Sequence, residues 1–507
     1  FIIKYFTMKR FNTLIICLLF YVSAIAQDAT AINKGVRSTI EELKDFIALP
    51  NDALNPDDMD QNLDWLNNKF KERGFKTQLI STSGIPLFFA QLTSKKNDVP
   101  TLLIYMHFDG QSVDPSKWNQ KDPYKVVLKE KNGNQWKELD WNMLSKDINP
   151  EWRLYGRSTS DDKGPIVMLL NAIDMIKADG KKIPFHLKVI LDGEEEKSSK
   201  PLPQAVKDNR ELLEADILMI NDGPVHPSNK PTLVYGCRGI TSMSVTTFGP
   251  LSPQHSGHFG NYAPNPGFRL FHLLGSMKDE NGKVLVNGYY DGIELDEMTQ
   301  EVLRSVPDDI ASLHDRLAIH TPETVGAFYQ ESLQYPSLNI RGIESGWVGE
   351  KARTIVPEKA TAEIDLRLVV ETDGDRLKSL VKDHIQSKGY FIVDRLPSIE
   401  ERMTYPLIAM VKEGSVTDAF RTDLNNSYGQ WMEKVLQKTF NEKVVKIRTM
   451  GGTVPIAPFI NTLNIPAIIL PVVNPDNNQH SPNENLRLGQ INYGLQVFYS
   501  LLSTKMN

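Results

Sequence analysis

The sequence predicts an α/β fold: a three-layer domain on a mainly parallel sheet, interrupted by an inserted α+β unit. Three observations carry this expectation. Short apolar, β-branched runs alternate with helical patterns up to about Tyr235. The pattern changes between there and about Lys412. The helix-then-strand alternation returns after Asn425.

In chain order, Thr101 to Met106 is the first clear buried strand. Ile166 to Lys177 (IVMLLNAIDMIK) follows with apolar residues at helical spacing. Phe185 to Leu191 and Asp216 to Ile220 are the next strands. In the inserted stretch, strand-like runs at Thr241 to Thr247 and Ala360 to Val370 alternate with amphipathic helical segments such as Arg376 to Gln386. Ile465 to Val473 is a fourth buried strand of the first domain. The expected division is therefore 27–234 and 413–507 for the two pieces of the outer domain, and 235–412 for the inserted one.

The 507 residues include 40% hydrophobic and 24% charged side chains, enough apolar material for substantial cores. The net charge of −6, with no basic run, gives no electrostatic reason to expect nucleic acid or an anionic membrane as partner. Met8-Lys9-Arg10 is a short basic start, and an apolar stretch from Leu14 to Val22 follows. Ala24-Ile25-Ala26 then puts small residues where a signal peptidase reads. Residues 1–26 are expected to be a secretory signal peptide cleaved before Gln27. The apolar stretch is shorter than the roughly 20 residues a spanning helix needs, so no membrane attachment is expected after cleavage. The destination would be periplasmic or extracellular. Of the two cysteines, Cys17 falls in this leader, which leaves Cys237 alone and no internal disulfide.

The chemistry lies after the strands. His107-Phe108-Asp109 follows the first, and Asp192-Gly193-Glu194-Glu195-Glu196 the second. Asn221-Asp222 follows the third, and His480 comes a short loop after the fourth. Ligand sites of open α/β sheets lie beyond the carboxyl ends of strands. Acidic residues crowded there repel one another unless cations hold them. Histidines and carboxylates without thiolates suit zinc, cobalt or manganese. Asp161-Asp162, just before the Ile166 helix, adds a carboxylate placed to bridge two metals, an arrangement that polarises a carbonyl and activates water. Singly, each signal is weaker than a solvated acid or a helix cap. Together, at the strand ends of one sheet, they point to a metal centre.

These residues fall in ordered motifs: His107-Phe108-Asp109 with Trp118 and Asp122-Pro123-Tyr124, Gly156 to Pro165, Tyr235-Gly236-Cys237-Arg238-Gly239, His255-Ser256-Gly257, Gly451 to Pro455, and His480 to Glu484. The set resembles the dinuclear zinc peptidases that include carnosinases, carboxypeptidase G, aminoacylase, acetylornithine deacetylase and succinyl-diaminopimelate desuccinylase, with the carnosinase-like dipeptidases most similar. The resemblance spans roughly Glu41 to Leu501. It implies that the outer domain is catalytic and that the inserted one is a lid and dimerisation domain.

The resemblance also implies roles. His107 and Asp222 would hold one zinc, Glu196 and His480 the second, and Asp161 would bridge them, with a cis Asp161–Asp162 peptide. Asp109 would orient His107, and Glu195 would be the general base. The acidic run admits two registers, and the spacing from Gly193 favours Glu195. Arg367 and Thr354 would bind a substrate carboxylate, Thr453 would add a contact, and His255 would stabilise the oxyanion from across a homodimer. Two positions depart from the motifs: Ser158 stands where glycine is usual, and Lys197 where a small residue is. The implied activity is hydrolysis of dipeptides or short peptides with a free C-terminal carboxylate. The alternatives are N-acyl amino acid deacylation and, more remotely, a non-catalytic peptidase-like binding protein.

Overall fold

The computed structural model describes residues 32–145, 148–454 and 456–506. The expected signal peptide lies outside them. Among the described residues no helix is long and apolar enough to cross a membrane. The chain forms two compact units.

The first unit takes the chain up to Leu233, then Leu424–Val445 and Pro458–Asn507. Its eight-stranded sheet runs Lys76–Ile80, Leu87–Leu92, His186–Asp192, Thr101–His107, Ile217–Ile220, Ala467–Ile469, Thr232–Val234, Val445–Ile447. Thr101–His107 pairs in parallel with His186–Asp192 on one side and with Ile217–Ile220 on the other, and the latter pairs in parallel with Ala467–Ile469. Parallel strands covered on both faces bury nearly every side chain, which is why these runs read as continuously apolar. The expected Ile465 to Val473 strand is shorter, Ala467–Ile469. Pro466 and Pro471 have no N–H to give a ladder, so regular pairing is confined to the residues between them.

Helices Lys163–Ala178 and Leu488–Ser503 pack closely in this unit. A Cβ at Gly494 would lie 2.3 Å from Met168 Sδ, so any larger residue there would have to displace the Met168 side chain. Lys163, at the start of its helix, is completely buried. Its ammonium donates to the carbonyls of Phe46 and Leu49, at 2.8 and 2.7 Å, where the 32–47 helix leaves C-terminal carbonyls without intrahelical partners. It also lies 4.3 Å from the centre of the Phe46 ring, which stacks on Trp65.

The second unit comprises Val234–Asp423 and Lys446–Ala457. Its five-stranded sheet runs Ser337–Glu344, Lys359–Leu368, Gly239–Phe248, Ile408–Glu413, Phe391–Val393. Along Lys359–Leu368 every second side chain is buried. That face packs with Leu270, Leu273, Leu377, Val381 and Ile385 of helices Pro266–Gly275 and Gly374–Ser387. The expected boundary at 412 is corrected. It would cut the Ile408–Glu413 strand, which pairs with Gly239–Phe248, and Phe420–Arg421 pairs in turn with Gly236–Cys237. The chain leaves this unit only after Asp423. Cys237 is buried there, and burial pushes its thiol up to about 12.

Replacing Lys163 by alanine would take the ammonium from the Leu49 carbonyl, leave the Phe46 carbonyl with the Leu49 N–H at 3.3 Å, and open a cavity. We expect a loss of about 2–4 kcal/mol, read as a lowered midpoint in urea unfolding of the first unit followed by tryptophan fluorescence. An unchanged midpoint would show that the Phe46 and Leu49 carbonyls find other partners.

Candidate active site

The first unit brings His107, Asp109, Asp161, Glu195, Glu196, Asp222 and His480 together. Ligand atoms of His107, Asp161 and Asp222 lie within 4.8 Å of one another, as do those of Asp161, Glu196 and His480, so Asp161 belongs to both groups. His107 Nε2 is 3.0 Å from Asp161 Oδ1. His480 Nε2 is 3.2 Å from Asp161 Oδ2 and 3.3 Å from Glu196 Oε2. The Asp161–Asp162 peptide is cis. His107 Nδ1 lies 3.3 Å from Asp109 Oδ1, which leaves Nε2 for a ligand.

The structure separates the three glutamates of the acidic run. Glu194 turns away and accepts the N–H of Ile85 at 3.0 Å. Glu196 faces His480, and Gln111 Nε2 donates to its Oε2 at 2.5 Å. Of the three, Glu196 alone enters a ligand group, and Glu195 is in neither. Asp109 has a second task. Its two carboxylate oxygens accept the N–H groups of Glu195 and Glu196, at 3.1 and 3.0 Å.

The loop bearing Asp161 is held by a residue the sequence reading left without a role. Glu484, fully buried, accepts from the N–H groups of Ser158, Ser160 and Asp161 at 2.9, 2.9 and 3.0 Å, and from Arg157 Nη1 at 2.8 Å. Glu484 closes the His480-Ser481-Pro482-Asn483-Glu484 motif, which was the available signal. Ser158 adopts a left-handed φ of 63°, the conformation for which glycine is usual. Its hydroxyl accepts from Asn51 Nδ2 at 3.0 Å, and Gly110 leaves room for it, since a Cβ there would lie 2.3 Å from Ser158 Oγ. Lys197, the other departure, stands 3.6 Å from Asp52.

The electrostatics call for cations. Burial raises Asp222 to about 6 and Glu196 to about 7, and the Asp161 charge pushes both the same way. Burial, then Asp222 and Glu196, push Glu195 well above the usual carboxylate range. Burial opposes a charged His107, but bonds to Asp109 and Asp161 outweigh it and raise this imidazole. Asp161 Oδ2 and Asp162 Oδ1 are buried without a well-angled hydrogen bond. Buried carboxylates in mutual repulsion, one of them with an oxygen against each of two imidazoles, are satisfied by divalent cations. The donor set of histidine and carboxylate fits a pair of them.

The second unit contains the other predicted residues, which form two pairs. His255 sits opposite Ile355 in a two-stranded ladder, and the neighbouring Ser256 N–H donates to Thr354 O at 3.0 Å. Arg367 Nη1 donates to Thr453 Oγ1 at 2.9 Å, and that hydroxyl donates to Arg238 O at 2.7 Å.

A parallel sheet whose strand ends gather two ligand groups around one shared carboxylate, with a further glutamate beside them, defines a metal-dependent hydrolase. The chain belongs to peptidase family M20/M25/M40, whose profile matches residues 103–504. It is 26% identical over 456 residues to the Cys-Gly metallodipeptidase DUG1 of Saccharomyces cerevisiae, covering 86% of this chain and 85% of that one. It is 26% identical over 428 residues to the Beta-Ala-His dipeptidase of Homo sapiens, covering 82% and 76%. The M20 family metallo-carboxypeptidase Sso-CP2 from Sulfolobus solfataricus has the same fold, with a TM-score of 0.73 at 24% identity, covering 92% of this chain and 98% of that one.

Glu484→Gln keeps the shape but removes the charge that Arg157 and three N–H groups share. Metal affinity is expected to fall about 10- to 100-fold, measured as metal retained after dialysis against graded chelator. Unchanged retention would mean that the Asp161 loop holds its shape unaided.

Proposed function

We propose that the protein is an exported two-zinc dipeptidase acting on dipeptides or short peptides with a free C-terminal carboxylate. The observation that carries this reading is the pair of ligand groups sharing Asp161 beside Glu195. The names of the relatives, two of them dipeptidases, support the substrate class.

His107, Asp161 and Asp222 would hold one ion, and Asp161, Glu196 and His480 the other. When bound, the two ions would supply Lewis-acid polarisation of the scissile carbonyl and acidify the attacking water. Glu195 takes the proton of the attacking water and delivers it to the leaving amine. Asp109 fixes the tautomer of His107. Arg367, steadied by the Thr453 hydroxyl, and Thr354 receive the substrate carboxylate. His255 Nδ1 accepts the N–H of Gly257 at 3.0 Å, so a neutral ring carries its proton on Nε2. That is the form needed to donate to an oxyanion.

A homodimer through the second unit is part of this reading. Helix Pro266–Gly275 exposes Phe268 and Phe271, and the edge strand Ser337–Glu344 exposes Ile340 and Ile343. Export rests on the leader-like residues 1–26, and a mature N-terminus at Gln27, found by mass spectrometry of protein from an exporting host, tests it.

In a library of dipeptides, their C-terminal amides and N-acyl amino acids, the zinc-loaded enzyme should cleave free dipeptides best. Preference for N-acyl amino acids would make it a deacylase with the same centre. Glu195→Gln should cut turnover at least about a hundredfold while zinc stays near two per chain, and loss of one zinc would move the base to another residue. Mixing inactive His255→Ala and Glu195→Gln chains under exchange should restore activity, because one site of the heterodimer has Glu195 and the partner's intact His255. No recovery with proven heterodimers would place His255 in its own chain's site or outside catalysis.

A further inference from the structure

The turn Glu194–Lys197 has an unusual backbone. It is a single 3-10 turn, Glu195–Lys197, and it leaves through two left-handed serines, Ser198 at φ 73° and Ser199 at φ 40°. Non-glycine residues in that region are strained and persist only where surroundings hold them. The turn's own bonds, Lys197 N–H and Ser199 N–H to Glu194 O and Ser198 N–H to Glu195 O, are all local. They leave the orientation of the turn on the sheet undetermined.

Two buried carboxylates supply that orientation. The N–H groups of Glu195 and Glu196 end on Asp109. The N–H of Glu194 ends on Asp192 Oδ1 at 3.0 Å. Asp192 Oδ2 accepts the Ser199 hydroxyl at 2.6 Å and the Tyr105 hydroxyl at 3.2 Å. Asp192 thus grips the turn at both ends, residues 194 and 199, and ties it to Tyr105 on the adjacent parallel strand. Tyr105 is also completely buried and packs edge-on against Phe459. None of these three side chains is in either ligand group.

We infer that Asp192, clasping Ser199 and anchored by Tyr105, is a positioning residue that, with Asp109, sets where the Glu195 carboxylate stands beside the ligand groups. The inference rests on the reading of Glu195 as general base. A displacement of about 1 Å at a proton-transferring group costs on the order of a hundredfold in rate. A loosened turn is therefore felt in turnover before it is felt in binding.

The test uses the full-length zinc-loaded enzyme and the best dipeptide substrate. Tyr105→Phe and Ser199→Ala each remove one hydroxyl from the clasp, and Asp192→Ala removes all of it. Asp192→Asn keeps a carbonyl for the Glu194 N–H and an amide that donates to both hydroxyls. We expect kcat to fall about 3- to 10-fold in the hydroxyl variants and about 30- to 100-fold in Asp192→Ala. KM should change less than about twofold and zinc should stay near two per chain, as for an interaction that matters in the transition state alone. Asp192→Asn should recover to within about fivefold of wild type. Placed on Glu195→Gln, Asp192→Ala should cost no more than about twofold further, since two changes acting through one group are not additive.

Full additivity on Glu195→Gln, loss of zinc, or a fall in Asp192→Asn as deep as in Asp192→Ala would overturn the inference. The first two would make the cluster a general support of the site, and the third would make its charge the active property. If Asp192→Ala does not fold, unchanged kcat in both hydroxyl variants overturns it equally. Wild-type turnover in Glu195→Gln would be a different failure, that of the base assignment itself.

Discussion

The Glu484 carboxylate, sealed in the first unit, accepts the N–H groups of Ser158, Ser160 and Asp161 and the Arg157 guanidinium. A buried charge is tolerated only when paired and hydrogen-bonded, and Glu484 meets that condition by immobilising residues 157–161. Asp161 then has a fixed backbone from which to face both His107 and His480. His480 lies four positions before Glu484 in sequence, so one carboxylate ties the shared ligand's loop to the loop of a ligand in the second group. Both loops border paired strands, since Asn485–Arg487 and Arg153–Tyr155 are hydrogen-bonded neighbours.

The rest of the centre repeats this device. Asp109 and Asp192 sit at the carboxyl ends of adjacent parallel strands and spend their oxygens on the backbone of the glutamate turn. Carboxylates therefore do two kinds of work here. Asp161, Asp222 and Glu196 stand with the two imidazoles in the ligand groups, where cations would relieve their mutual repulsion. Asp109, Asp192 and Glu484 point their oxygens at N–H groups and hold the first set in place. The N–H groups balance one share of this negative charge, and cations would balance the other.

Much of this was legible in the sequence where the physical signal is local. Buried parallel strands read as apolar runs, and the polar residues that follow them had few places to go but the sheet edge. His186 lies inside one of these runs, and its Nδ1 accepts the Ser94 N–H. Trp118, in the first motif, is buried with Arg157 over its ring. The boundary at 412 was misplaced because the two-residue ladder between Phe420–Arg421 and Gly236–Cys237 is a long-range pairing with no periodicity of its own. Glu484 and Asp192 were silent for a related reason. A carboxylate that binds backbone N–H groups looks, as a letter, like one that binds water, and only the folded loops around it tell them apart.

The solitary thiol of the second unit has a use of its own. Cys237 lies in the ladder that closes that unit, and its sulfur is both covered and held in the protonated form at neutral pH. Thiolate, not thiol, reacts with alkylating reagents. Capture of this sulfur therefore reports the opening of one ladder without an introduced label. Alkylation rates followed by mass spectrometry become a clock for the breathing of the inserted unit.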